Sequence, residues 1–148
     1  MPIPALDNEG FLPDGIYDCT LAEIRERFGR FNGTDCRERL QTKLDRFVAE
    51  AKCSGVVSYM IVNGSYTTAK PEPGDIDLVV VLPTAHDFAA DLLPVAYNCI
   101  SRKRVAKRYG FDILVAAEGS TSLSKYLSLF HEIKGRYDRK KGFLRLTL

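Results

Sequence analysis

Residues 62–83 read VNGSYTTAKPEPGDIDLVVVLP: a Gly-Ser pair closes one apolar run, and two aspartates, Asp75 and Asp77, open the next. Carboxylates are rare where a buried strand is about to begin. Turn chemistry accounts for the first, because Pro71, Pro73 and Gly74 make a turn and aspartates favour turns. It does not account for Asp77, one step inside the apolar strand. Side chains two apart on a strand share a face. Asp75 and Asp77 therefore project together, while Ile76 and Leu78 enter the core on the other side. Two such carboxylates repel unless a cation lies between them or one is protonated. Hard oxygen ligands of this kind suit magnesium, which takes carboxylates together with substrate phosphates.

Upstream, Gly64 and Ser65 end a strand-like run, VVSYMIV (56–62). Glycine lets backbone amides approach a phosphate closely, and Ser65 adds a hydroxyl donor. A third carboxylate, Asp112, heads FDILVAA (111–117), which reads as another strand. If that strand lies beside 76–82, Asp112 falls next to the Asp75/Asp77 edge. Three acids opposite a Gly-Ser turn could hold two magnesium ions and a nucleoside triphosphate. Such a pair of ions clamps the attacking and leaving oxygens of an in-line displacement.

The rest of the chain supplies a frame for that edge. With 148 residues, 45% hydrophobic and 27% charged, it is expected to form a single domain, 1–148, of ordinary globular composition. Residues 1–19, rich in proline, are expected to lie over it as an extended arm. TLAEIRERFG carries a capping box at Thr20 and Glu23, and TDCRERLQTKLDRFVAEAKCSG (34–55) repeats apolar positions at the helical spacing of an amphipathic helix ending near Gly55. Thr84 and Asp87 have the same capping spacing, which predicts a helix from there to Gly110 with an interruption at Pro94. TSLSKYLSLFHEI predicts a further helix with Tyr126 and Phe130 in the core, and GFLRLTL a closing strand. The alternation of helices and strands gives an α/β (α+β) domain, a mixed β-sheet with flanking helices.

The stretch VNGSYTTAKPEPGDIDLVV, followed by GFDILVA, resembles the signature of the nucleotidyltransferase superfamily with the DNA polymerase beta-like fold. The spacer between Ser65 and Asp75 is nine residues, and the resemblance covers roughly residues 36–117. More loosely, LDNEGFLPDGI and KGFLRLTL resemble small stand-alone bacterial members. The resemblance implies magnesium-dependent transfer of a nucleoside monophosphate from a nucleoside triphosphate, ATP first among them. The acceptor would be a hydroxyl of a protein, an RNA or a small molecule. It implies that Asp75 and Asp77 ligate both metals and that Asp112 ligates the one activating the attacking hydroxyl. Gly64 and Ser65 would bind the nucleotide. Two departures stand out: Pro71 and Pro73 leave room for about one helical turn after Gly-Ser, and no helical domain for acceptor recognition follows.

Other features bound the reading. No signal peptide and no apolar run of membrane-spanning length is visible, and four scattered cysteines suggest reduced thiols, so a cytoplasmic protein is expected. His86 and His131 have no ligand spacing and are expected at the surface. The basic segments 102–108 and 134–141 read first as solvated faces, the former also as cations near a helix C-terminus. Their functional alternative is a patch for triphosphate or an acidic acceptor. A different class of function is also open. Small members of the superfamily pair with toxin-like proteins, so the chain could be an antitoxin-like or regulatory module with little or no catalysis.

Overall fold

The structure is a computed structural model and describes residues 3–31, 33–133 and 136–148, the last with backbone alone for 136–139. The first half contains β1 (Ile16–Cys19), α1 (Leu21–Phe28), α2 (Cys36–Ser54), β2 (Tyr59–Asn63) and β3 (Asp77–Leu82). The second half contains α3 (Pro94–Ile100), α4 (Arg102–Tyr109), β4 (Asp112–Ala117), α5 (Thr121–His131), β5 (Glu132–Ile133), β6 (Arg136–Lys140) and β7 (Phe143–Thr147). Five strands form a mixed sheet in the order β1-β7-β2-β3-β4, and β5 pairs with β6 in a small separate ribbon. β3 and β4 run parallel, as do β1 and β7, while β2 is antiparallel to both of its neighbours. The expected α+β class with a mixed sheet is what the chain forms.

β3 explains the layering. Its five apolar residues are all buried because the sheet is covered on both faces. Leu78, Val80 and Leu82, with Ile76 just before them, pack into a large core against Leu40, Leu44, Phe47 and Val48 of α2. Val79 and Val81 face the other way, into a smaller core with Leu123, Ile61 and Phe143, against which Tyr126 and Phe130 of α5 pack. The capping box at Thr20 and Glu23 forms as the sequence predicts. Among the described residues no helix is long and apolar enough to cross a membrane.

Three expectations need correction. The arm expected over 1–19 is not extended throughout: Gly10 N–H donates to Asp7 O at 3.0 Å in a turn, and residues 16–19 join the sheet as its edge strand β1. The arm itself is clasped by the domain: Ala69 N–H donates to Gly10 O at 2.9 Å and Gly142 N–H to Leu12 O at 3.0 Å. It passes so near Gly142 that a Cβ there would collide with the Pro13 carbonyl oxygen. No helix starts at Thr84. Asp87 Oδ1 instead accepts from Ala89 N–H at 2.9 Å, an Asx turn, and Thr84 Oγ1 donates to Glu118 O at 3.2 Å. Helix begins only at Pro94, where a missing N–H costs nothing. Finally, His131 is held rather than free at the surface, with Nδ1 3.2 Å from Asp14 Oδ1 and 2.8 Å from Lys141 O. Lys134 and Gly135 of the second basic segment lie outside the described residues.

The most demanding feature inside the fold is Arg37, on the first turn of α2 and wholly buried. It has no carboxylate partner among the described residues; its guanidinium donates six hydrogen bonds to five backbone carbonyls. Nη1 reaches Phe28 O (3.0 Å) and Tyr66 O (2.6 Å), Nη2 reaches Thr68 O and Lys70 O (both 2.7 Å) and, more weakly, Ser65 O (3.4 Å). Nε adds a second bond to Lys70 O at 3.1 Å, and the Phe31 ring lies 3.9 Å from Cζ. Among the described residues segment 64–70 has no sheet partner, so Arg37 supplies the donors that a ladder would otherwise provide. An ammonium group cannot span five acceptors arranged for a planar fork. Arg37→Lys is therefore expected to lower stability by about 3–5 kcal/mol in denaturant unfolding. It should also raise hydrogen exchange selectively at the 65–70 amides; a loss below about 1 kcal/mol with unchanged exchange would contradict this account.

Candidate active site

The sheet register assembles one row of polar residues at one end of three strands. Asp77 opens β3 and is paired directly with Asn63 of β2 on one side and Asp112 of β4 on the other. Directly paired residues share a sheet face, about 4.8 Å apart from strand to strand. Asp75 precedes β3, outside the ladder, yet lies close enough to raise Asp77 and to be raised by Asp112. The face shared by Asn63, Asp77 and Asp112 is that of the smaller core, since Val79 and Ile61 continue it inward. Thus the three aspartates singled out in the sequence come to one edge.

Gly64 follows Asn63 immediately and adopts φ +84°, a conformation that strains other residues. A Cβ here would also sit 2.5 Å from Asp77 Oδ2. The glycine is thus needed twice, for its backbone angle and for the carboxylate resting against it. After it, Ser65–Thr67 makes a single 3-10 turn, within the one-turn limit that Pro71 and Pro73 impose. Thr68 Oγ1 donates to Ser65 O at 2.7 Å and holds that turn closed.

The electrostatics are those of crowded carboxylates. Asp77 is pushed up to about 6, by burial first and then by Asp75 and Asp112, with Lys141 pulling the other way. Asp75 is raised as well, by burial and by Asp112, and Lys70 opposes the rise. Asp112 is the exposed member and meets Arg102 Nη2 at 3.5 Å. Among the described residues, no three His, Cys, Asp or Glu side chains gather into a ready-made metal cage. A magnesium ion completed by substrate phosphates and water needs no such cage. The donor set fits one: two half-buried carboxylates close together, joined by an orphaned acceptor. That acceptor is Asn63 Oδ1, buried without a hydrogen-bond partner among the described residues, while its Nδ2 donates to Phe130 O at 3.0 Å.

A cleft of about 540 Å³, which reaches Ser65 of the Gly64–Ser65 turn, opens between the arm and the 65–70 turn. Ser65, Thr68, Lys70 and Lys141 line it together with Gly10 and Phe11. Lys70 favours the charged Asp75 and Lys141 the charged Asp77, so both cations lining the cleft are within electrostatic reach of the acids. Neither lysine carries a local signal. Lys70 precedes a proline and Lys141 sits in a basic run; only the turn and the β6–β7 connection bring them here. Asn63 and Arg102 were likewise unreadable from their neighbours in the chain.

A family model described as a family of unknown function (DUF6932) matches residues 4–147, and the chain belongs to that family. No curated protein and no solved structure matches it.

The raised Asp77 carboxyl makes stability depend on pH in a definite direction. From about pH 4 to about pH 6 the folded chain retains a proton that the unfolded chain has released. Stability should therefore fall as pH rises through that window and stay lower above it. Asp77→Asn removes this cost, so it should stabilise the chain without added metal at about pH 8. The expected gain is on the order of 1 kcal/mol, allowing for the solvent-exposed side of the carboxyl. The gain should vanish near pH 4; thermal melts of both proteins across this range test it, and a pH-independent difference would refute the assignment.

Proposed function

We propose that this member of the DUF6932 family is a magnesium-dependent nucleotidyltransferase of the polymerase beta-like type. The observation that carries the reading is the pair Asp77 and Asp112 across β3 and β4, with Asp75 close by, beside a Gly64–Ser65 turn whose glycine abuts Asp77. Carboxylates raised by burial and by neighbouring acids, as Asp75 and Asp77 are, are a common mark of a functional site. In the transfer, an acceptor hydroxyl oxygen bonds to the α-phosphorus of a nucleoside triphosphate and pyrophosphate departs with its bridging oxygen. The hydroxyl proton is lost to a base or to solvent. Magnesium, when bound, neutralises the phosphates and orients both oxygens of the displacement.

The chain's own residues have distinct parts in this reading. Asp75 and Asp77 would hold the metal ions, with Asp77 needing a cation most because it is the most buried of the three. Ser65 and the 65–68 turn would receive the triphosphate, with Lys70 and Lys141 countering its charge. Asp112, exposed at the outer strand, is best placed to orient the acceptor once Arg102 releases it. ATP is the favoured donor by resemblance alone. Four unpaired cysteines fit a reducing, cytoplasmic setting. The Arg102–Asp112 pair also favours a second reading, a binding module in which the third acid is spent on structure.

The deciding experiment incubates the protein with each α-labelled nucleoside triphosphate, magnesium and a cell lysate. Label moving to a macromolecule, with pyrophosphate released, supports the enzyme. A folded protein that neither transfers label nor binds any nucleotide with magnesium leaves the binding module. Within the enzyme reading, Asp77→Asn should lose magnesium-dependent nucleotide binding altogether. Asp112→Asn should bind nucleotide nearly as the wild type does, yet transfer it at least about a hundredfold more slowly, a loss of ~2.7 kcal/mol of transition-state stabilisation. Equal loss of binding and transfer in Asp112→Asn would show that this residue holds the donor instead.

A further inference from the structure

α4 carries five cations in seven residues, Arg102, Lys103, Arg104, Lys107 and Arg108, and all five are exposed. The helix dipole accounts for Lys107 and Arg108, which lie in the last turn. It disfavours the other three. Arg102, Lys103 and Arg104 form the first turn, where the free N–H groups already make the helix end positive, and no acidic residue accompanies them. Nor do neighbouring carboxylates neutralise the face. Arg108 is paired with Glu50 and Arg102 with Asp112, but Lys103, Arg104 and Lys107 have no carboxylate partner among the described residues. A net charge of only +2 for the chain makes this concentration a local property.

The cations also form an ordered track. At 100° per residue, Arg102 lies on one flank of α4, Lys103 and Lys107 occupy the outward face, and Arg104 lies beyond them. Arg102 touches Asp112, the outermost acid of the row. Arg104 lies over the ring of Tyr97, 4.8 Å from its centroid, and is fixed there by a 2.9 Å bond from Nη1 to Asn98 Oδ1. Tyr97 is 45% exposed although it is aromatic. A groove of about 460 Å³ runs between Lys103, Arg104, Lys107 and Arg108. A line of cations ending on an exposed arginine–tyrosine stack is what binds a single strand, through phosphates and one stacked base. An acidic protein would use the cations but not the stack.

We infer that α4 and Tyr97 form a binding track for single-stranded nucleic acid, whose end is delivered past Arg102 to Asp112 as the acceptor. Its direction toward Asp112 rests on the nucleotidyl-transfer reading; the binding itself does not. A strand phosphate competing for Arg102 would free the Asp112 carboxylate, which couples acceptor arrival to completion of the acidic row.

The test is fluorescence anisotropy of an end-labelled RNA 12-mer of mixed sequence, without nucleotide or magnesium, as a function of potassium chloride. Contacts to about three phosphates predict a log Kd against log salt slope of magnitude about 2. Lys103→Glu/Lys107→Glu should weaken binding at least about tenfold, and Lys107→Gln alone should lower the slope by about 0.7. Tyr97→Ala should weaken it about fivefold or more with the slope unchanged. Absence of salt-dependent binding, or charge-reversed protein that binds as the wild type does, would overturn the inference. Displacement of the RNA by poly-glutamate of equal charge at equal concentration would overturn it in favour of an acidic protein partner. Magnesium-dependent ATP binding, measured on the same proteins, separates the two proposals. Its absence alongside intact RNA binding would sink the enzyme reading and leave the track. Its presence in a charge-reversed variant that has lost RNA would show that the track is distinct from the donor site.

Discussion

A single buried guanidinium governs how α1, α2 and the 64–70 segment meet. Arg37 has no carboxylate partner among the described residues, and the carbonyls that satisfy its donors belong to Phe28 at the end of α1 and to residues 65–70. The desolvation cost of a buried charge is several kcal/mol, and hydrogen bonds from a charged donor to carbonyls are among the stronger ones. The arrangement therefore holds only when all the acceptors are present together. That makes segment 64–70 a fixed part of the core, although it has no strand partner among the described residues. The Tyr66 hydroxyl bonded to Gln41 at 2.5 Å pins the same segment from below.

Because that segment is fixed, the acidic edge is built against a rigid wall. Gly64 leaves β2 at a positive φ, and the Asp77 carboxylate occupies the space a side chain would have taken. The close fit half-buries Asp77, the register puts Asp112 beside it, and Asp75 lies close by. Three like charges in such proximity are an unfavourable choice for stability alone, and Lys70 and Lys141 relieve them only in part. Cost concentrated at one edge is the pattern expected where selection acts on function rather than stability. The same logic applies to α4, whose first-turn cations oppose the helix dipole.

Local patterns were legible wherever one face of an element met one core. The capping box of α1, the apolar stripe of α2 ending at Gly55, and the all-apolar run of β3 each follow from periodicity and end chemistry. The failure at Thr84–Asp87 has the opposite origin. Capping-box spacing was present, but Asp87 turned to its own backbone, and tertiary contact drew Thr84 to Glu118. Residues 16–19 show the same limit: a four-residue strand of mixed polarity declares itself only through the neighbour, β7, that it pairs with.

The candidate site divides along the same line. Sequence by itself determined that Asp75 and Asp77 lie close together, because a single residue separates them at the head of an apolar run. It also marked Gly64 and Ser65 as a turn after a strand and Asp112 as a carboxylate at the head of another. Only tertiary structure decided that Asp112 pairs with Asp77, since strand order and register depend on nonlocal hydrogen bonds that no local pattern encodes. It alone brought Asn63 to the other side of Asp77, Lys141 and Lys70 within electrostatic reach of the acids, and Arg102 onto Asp112. Charges far apart in the chain interact through space, with an energy set by distance and burial. Those two quantities exist only once the sheet has closed.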